Sequence, residues 1–279
     1  MLSEIRRALR DKLLRAVEEV FERYEEVAER RHRSQLAAVS IEADRVIGAM
    51  HDAVRELRTT IQDFETRTRR DVLAAGEREA VGSTARFVAT AMPTARTFPS
   101  PDSTLEHAVT LALPEGMALE FGVYSGHTLK MISAARAGRA VYGFDSFEGL
   151  PEAWRSGFPA GTFGVGRLPD VPGAELVVGW FEDTLPRFVA EHSGPVALLH
   201  LDADLYSSTR TVLDLVGPRL LPGSIVVFDE YFNYPGWEQH EYRAWQEYVE
   251  RTGTRYEYVG YTLDNEQVIV RVTGVSAAG

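Results

Sequence analysis

The sequence predicts an α/β protein: a mostly parallel sheet, with one antiparallel strand from a C-terminal hairpin, behind a long α-helical N-terminal extension. Three observations carry that prediction. From residue 1 to about 92 there is no proline, and apolar residues recur at steps of three and four, the period of one helix face. After Pro114-Glu115-Gly116 short apolar runs alternate with helical patterns, as in repeated β-α units. Two of those runs end in acids: Leu198-Leu199-His200-Leu201 leads into Asp202-Ala203-Asp204, and Ser224-Ile225-Val226-Val227-Phe228 into Asp229-Glu230. Ligands of open parallel sheets bind at the carboxyl ends of the strands, so Asp202, Asp229 and Glu230 share one candidate rim.

Composition narrows the classes. A chain of 279 residues has room for one large domain and an appendage. The net charge of −11 argues against a general nucleic-acid or anionic-membrane surface. With no cysteine, disulfides and thiolate metal sites are excluded. The start, Met-Leu-Ser-Glu-Ile-Arg-Arg, lacks an apolar core of signal-peptide length, and no later run could span a bilayer; a cytoplasmic location is the expectation.

In the N-terminal region, residues 1–92, the apolar stripe runs through Ile5, Leu9, Leu13, Val17, Val20, Tyr24 and Val27. It resumes at Val46, Met50, Val54, Leu57, Ile61 and Phe64, with Glu and Arg filling the other faces. Two long helices are predicted, packed on each other, on a partner chain, or both. The stripe is narrow enough for a coiled-coil seam and a homo-oligomer, and equally compatible with helices lying on the body of the same chain. Residues 93–116 form a proline-punctuated junction and a short helix through Leu105, His107 and Leu111, with Ser103 as its expected cap.

The third region, 117–279, is predicted to hold strands near 117–121, 140–144, 175–178, 196–201 and 224–228. Helices are predicted near 126–137, 183–192, 207–216 and 238–251. Tyr256–Val259 and Gln267–Val272, joined at Leu263-Asp264-Asn265-Glu266, read as the closing hairpin.

The first strand ends Leu119-Glu120-Phe121-Gly122-Val123-Tyr124-Ser125-Gly126-His127-Thr128. Its glycines let the backbone turn sharply and approach a ligand at the start of the next helix. The spacing is not the G-x-G-x-x-G of dinucleotide sites, and an acid precedes the first glycine. An ammonium suits Glu120 better than a pyrophosphate does, which favours a ligand with an amino-acid end, S-adenosylmethionine being the candidate. The second strand ends in Asp145, about 20 residues after the glycine turn, where an acid can accept from ribose hydroxyls. At the third strand end, Trp180 and Phe181 suit either an adenine or the core.

Together with Gly143-Phe144-Asp145-Ser146-Phe147-Glu148-Gly149-Leu150-Pro151, His200-Leu201-Asp202-Ala203-Asp204-Leu205-Tyr206 and Phe228-Asp229-Glu230-Tyr231, these residues mark a resemblance. Residues 117–273 resemble a class I S-adenosylmethionine-dependent methyltransferase with a Rossmann-like sheet, and are particularly similar to the macrocin O-methyltransferase family of antibiotic-sugar enzymes. The resemblance implies that Glu120, Gly122, Tyr124 and Thr128 line the methionine end and Asp145 holds the ribose. It extends the cofactor set to Ser125, Gly126, Ser146, Phe181 and Asp202. It also implies Mg²⁺ held by Asp202, Asp229 and Glu230, the last departing from the family's usual Asp or Asn. The N-terminal helices lie outside it.

Methyl transfer from a sulfonium is an in-line displacement, and the acceptor hydroxyl must lose its proton. A divalent ion on oxygen ligands lowers that hydroxyl's pKa, and a chelating pair of hydroxyls favours a sugar diol or catechol. Asp202 is the candidate base. Asp204 is expected to orient the following turn or cap the next helix. His200 reads as a buried core residue or an acceptor contact, and His127 and His240 as surface or loop residues. The aromatic segment Tyr231-Phe232-Asn233-Tyr234-Pro235-Gly236-Trp237 suits stacking on an acceptor or packing over the sheet edge. Residues 155–173 read as an insertion near the mouth. Rival readings are a nicotinamide oxidoreductase, a hydroxylase on a related scaffold, and a non-catalytic cofactor-binding scaffold with a coiled-coil region.

Overall fold

The computed structural model describes residues 2–275, with side chains from residue 9 onward except Asp11. The side chain of Ile5 and the last four residues of the predicted third region lie outside the described residues. The chain forms two compact units, divided after Asp71. The first is a single helix, α1 (Leu2–Arg70), whose described side chains are exposed throughout. The second begins with α2 (Val72–Ala91), so the boundary expected at residue 92 falls at 71 instead. The reason is packing: Phe87 of α2 stands 5.4 Å from the Trp237 ring and 5.7 Å from that of Tyr258, inside the core of the second unit.

The junction contains β1 (Arg96–Phe98), a strand not expected from sequence, and α3 (Pro101–Leu111). The cap of α3 is Ser100, and Ser103 closes a reciprocal capping box with it. Next come β2 (Met117–Phe121), α4 (His127–Ala135), β3 (Val141–Asp145), β4 (Glu175–Val178), α5 (Phe181–Glu191) and β5 (Val196–Leu201). The chain closes with α6 (Tyr206–Val216), β6 (Leu220–Phe228), α7 (Glu241–Thr252), β7 (Arg255–Thr262) and β8 (Val268–Gly274).

The eight strands form one sheet in the order β1-β7-β8-β6-β5-β2-β3-β4. Only β8 runs antiparallel, against β6 and β7, as the hairpin predicts. Successive side chains of a strand face opposite ways, and the buried strands divide accordingly. Leu119, Phe121, Leu199, Leu201 and Phe228 join the core that receives α5, α6 and α7, while Ala118, Leu198 and Val227 join the core under α3 and α4. Both faces are covered, as a parallel sheet requires. The carboxyl ends of β2, β3, β5 and β6 are therefore the open rim.

Candidate active site

The rim is laced together by backbone. Asp202 donates its N–H to the Phe121 carbonyl, Gly122 to that of Phe144, and Asp229 to that of Leu201, at 2.8–2.9 Å. Gly122 has φ +92°, and a Cβ there would fall 1.8 Å from the Asp202 carbonyl oxygen. No other residue fits, so the glycine is a packing requirement as well as a turn.

Above this rim lies a cavity of about 760 Å³. It is lined by Gly122, Tyr124, Asp145 and Ser146 after β2 and β3, with Trp180 and Phe181 beyond them after the edge strand β4, and by Asp202, Asp204 and Glu230 on the other side, after β5 and β6. Asp145 is held by three peptide groups: Oδ2 accepts from the N–H of Val123 and Tyr124, both at 2.8 Å, and Oδ1 from that of Phe147 at 2.7 Å. The carboxylate thus fixes the glycine turn, and about one of its four acceptor sites is left for a ligand in the cavity it lines. Phe181 serves both uses allowed for it, lining the cavity and meeting Phe121 edge-on at 5.2 Å.

Four residues expected at the cofactor do not line the cavity. Glu120 is completely buried beneath it. The β2–β5 register sets Glu120 opposite His200, and directly paired residues share a sheet face. One Glu120 oxygen accepts from the Thr128 hydroxyl (3.1 Å) and the other lies 3.1 Å from His200 Nδ1. Glu120 and Thr128 are thus a support beneath the turn, not its lining. Gly126 is the left-handed N-cap of α4, φ +77°, with Val171 and Pro169 against it. Ser125 is exposed next to it.

The acids differ from the expected set in one member. Ligand oxygens of Asp202, Asp204 and Glu230 all lie within 4.8 Å of one another. Asp229 is diverted: Oδ1 faces His200 Nε2 at 3.8 Å and Oδ2 accepts from Gln267 at 3.2 Å. Asp204 sits at φ +57°, a turn that brings its carboxyl to the rim instead of leaving it to cap α6. Burial, and then the charge of Asp229, push the Asp202, Asp204 and Glu230 carboxyls up, Asp204 to about 7. One buried Glu230 oxygen has no hydrogen-bond partner. An all-oxygen cluster with an orphaned lone pair fits a hard divalent cation such as Mg²⁺.

His200 settles as a buried residue. Burial opposes its charge, but the Asp229 and Glu120 carboxylates more than reverse this and raise its pKa well above the ordinary imidazole value. Glu241, unremarked in the sequence, lies buried beside the acids and accepts the Glu230 N–H at 3.1 Å.

Of the aromatic segment, Tyr231, Phe232, Tyr234 and Trp237 are at most 3% exposed and pack as core. Besides Trp180 and Phe181, the rings that line the cavity are Phe158 and Phe163 of the insertion, Trp154 just before it and Tyr124 of the glycine turn. Tyr124, Phe163, Phe158 and Trp154 follow one another at centroid distances of 5.2–5.9 Å. The Arg155 guanidinium lies over Trp154 at 3.9 Å and is paired with Glu266 at 3.0 Å. His127 is an exposed partner of Asp102, and His240 is half-buried between Trp154 and Tyr234.

Comparison with known proteins agrees with this geometry. Residues 119–231 match a family described as a methyltransferase domain. A tetracenomycin rhamnosyl 4'-O-methyltransferase of Streptomyces olivaceus is 32% identical over 46% of this chain and 58% of its own. The mycinamicin III 3''-O-methyltransferase of Micromonospora griseorubida is 30% identical over 50% of this chain and 66% of its own. A demethyldecarbamoylnovobiocin O-methyltransferase of Streptomyces niveus is 28% identical over 46% and 58%. The chain thus spans roughly three fifths of the length of these relatives. The matched region carries the glycine turn, Asp145 and the acid cluster, and is thus similar to a methyltransferase domain.

Proposed function

We propose that the chain is an S-adenosylmethionine-dependent O-methyltransferase that acts, with Mg²⁺, on a hydroxyl of a small sugar or other secondary-metabolite diol. The carrying observation is one cavity bounded at one end by the glycine turn with Asp145 and at the other by Asp202, Asp204 and Glu230. When bound, the cofactor supplies a methyl group on a sulfonium and the cation an acidifying centre for the acceptor hydroxyl.

The chain's own residues do the rest. Asp145 accepts from the ribose hydroxyls, and Trp180 and Phe181 give the adenine two apolar faces. Asp202, Asp204 and Glu230 hold the cation. Asp202, whose backbone touches the glycine turn, takes the acceptor's proton. Aromatic rings suit the C–H faces of a sugar, and Tyr124, Phe158 and Phe163 form that wall. The antibiotic-glycoside methyltransferases named above support a sugar acceptor. The exposed stripe of α1 is assigned to self-association of the chain.

Calorimetry with S-adenosylhomocysteine and NAD, followed by S-adenosylhomocysteine release with Mg²⁺ and a panel of glycoside and catechol diols, tests the proposal. Micromolar binding of S-adenosylhomocysteine alone and turnover of a diol are expected. Binding of NAD in its place, or cofactor binding with no acceptor methylated, overturns it.

A further inference from the structure

The 69-residue helix α1 has every described side chain from Leu9 to Arg70 exposed. Helices in proteins owe most of their stability to a buried face. Eleven exposed apolar residues of α1 fall into two heptad blocks, with Leu9, Leu14, Phe21, Leu36, Val39, Ile41 and Val46 outside their a and d positions. In the first, Val17 and Tyr24 occupy a positions and Leu13, Val20 and Val27 d positions. In the second, Ile47, Val54 and Ile61 stand at a and Met50, Leu57 and Phe64 at d. These eleven side chains are 45–73% exposed.

Resting on the self-association proposed above, we infer that a second copy of the chain covers this seam, the two α1 helices pairing in parallel and in register as a two-stranded coiled coil. The second block carries β-branched residues at every a and unbranched-β residues at every d, the pattern that favours parallel dimers. Alignment is chosen by the interruption. The stretch Glu29–Gln35 is polar, and the a positions after it are offset by two residues from those before it. Only an in-register parallel pair sets each block on its own copy and the polar stretch on itself. An antiparallel pair matching the seam's ends, Leu13 to Phe64, lays that stretch against Val46 and Ile47, a mismatch that counts against it.

Charge excludes a membrane surface as the occupant. Residues 1–70 carry fifteen basic and fourteen acidic side chains, without the cation-rich face of interfacial helices. Arg30–Glu26, Arg33–Glu29, Arg55–Asp52 and Arg69–Glu65 pair within the helix and off the seam. The area suffices. At ~60 Å² for each seam side chain, the low end for burying one, two helices remove on the order of 1,300 Å², within the ~1,200–2,000 Å² of stable interfaces.

The full chain contains no cysteine, so introduced thiols report cleanly. Sedimentation at micromolar concentration is expected to give twice the 31.1 kDa chain mass. Met50→Cys, at a d position, is expected to cross-link to itself at least tenfold faster than Thr59→Cys on the outer face. Leu57→Asp with Ile61→Asp is expected to sediment as a single chain while the near-ultraviolet dichroism of the sheet unit persists. A single-chain mass for the unsubstituted protein, a mass of three or more chains, or equal cross-linking of the two thiols overturns the inference. So does a double variant that stays paired. None of these readouts depends on methyl transfer, so failure here is separable from failure of the proposed activity.

Discussion

The two ends of the cavity hold carboxylates in opposite circumstances. Asp145 accepts three peptide N–H groups, so its charge is satisfied by the fold before any ligand arrives. At the other end, Asp202, Asp204 and Glu230 converge, their carboxyls driven toward the protonated form. A site satisfied by backbone is pre-organised for a neutral ribose. A site of crowded acids fits the positive ion proposed for it. The difference shows which end supplies position and which supplies electrostatics.

The largest expected effect is at the acid end. Asp202→Asn should lower turnover by about 10²–10⁴-fold while S-adenosylhomocysteine affinity stays within about tenfold, roughly 1.4 kcal/mol; wild-type-like turnover removes Asp202 from the mechanism. Gly122→Ala tests the opposite end, because its Cβ meets the Asp202 carbonyl. Cofactor affinity should fall by about a hundredfold or more, roughly 2.7 kcal/mol, and unchanged affinity would show that the close approach is dispensable. For Asp145→Ala, which orphans three peptide donors, a stability loss of about 1–3 kcal/mol is expected, read by urea denaturation together with weaker cofactor binding.

A smaller effect separates the ends by pH. Asp204 holds a proton up to about pH 7 in the folded chain, whereas an unfolded aspartate releases it near pH 4. Its contribution to stability is therefore fully present below about pH 4 and lost as pH rises through about 7. Mg²⁺ needs the ionised acids, so it should raise the melting temperature by several degrees near pH 8 and scarcely at all near pH 5. A shift independent of pH would place the ion elsewhere. The smallest effect is at the aromatic wall: Phe163→Ala should raise the acceptor KM several-fold and leave cofactor affinity alone.

Much of this was legible in the residues. Strands β2, β4 and β5 are read to the residue, because short apolar runs between glycine, proline and helical stretches leave little choice. The strand ends at Gly122 and Asp145 are also legible, and both residues line the cavity. Strand β1 is not, because Arg96–Phe98 has no apolar pattern and exists only through its pairing with β7. That Asp204 gathers with Asp202 and Glu230 while Asp229 is engaged by His200 and Gln267 is likewise tertiary. It depends on the β2–β5 register bringing His200 opposite Glu120, and on Gln267, just before β8, reaching Asp229. The Tyr231–Trp237 rings read equally well as platform or core until Phe87 of α2 is seen packed against them.

The contact between residue 122 and the main chain of residue 202 carries one last implication. The proposed donor pocket and the main chain carrying the proposed proton acceptor are fused at the level of the peptide chain. Only the Asp202 side chain itself is left to adjust their spacing. Divergence toward new acceptors would therefore be confined to the far wall, where the 154–163 rings can be exchanged without disturbing the reacting geometry.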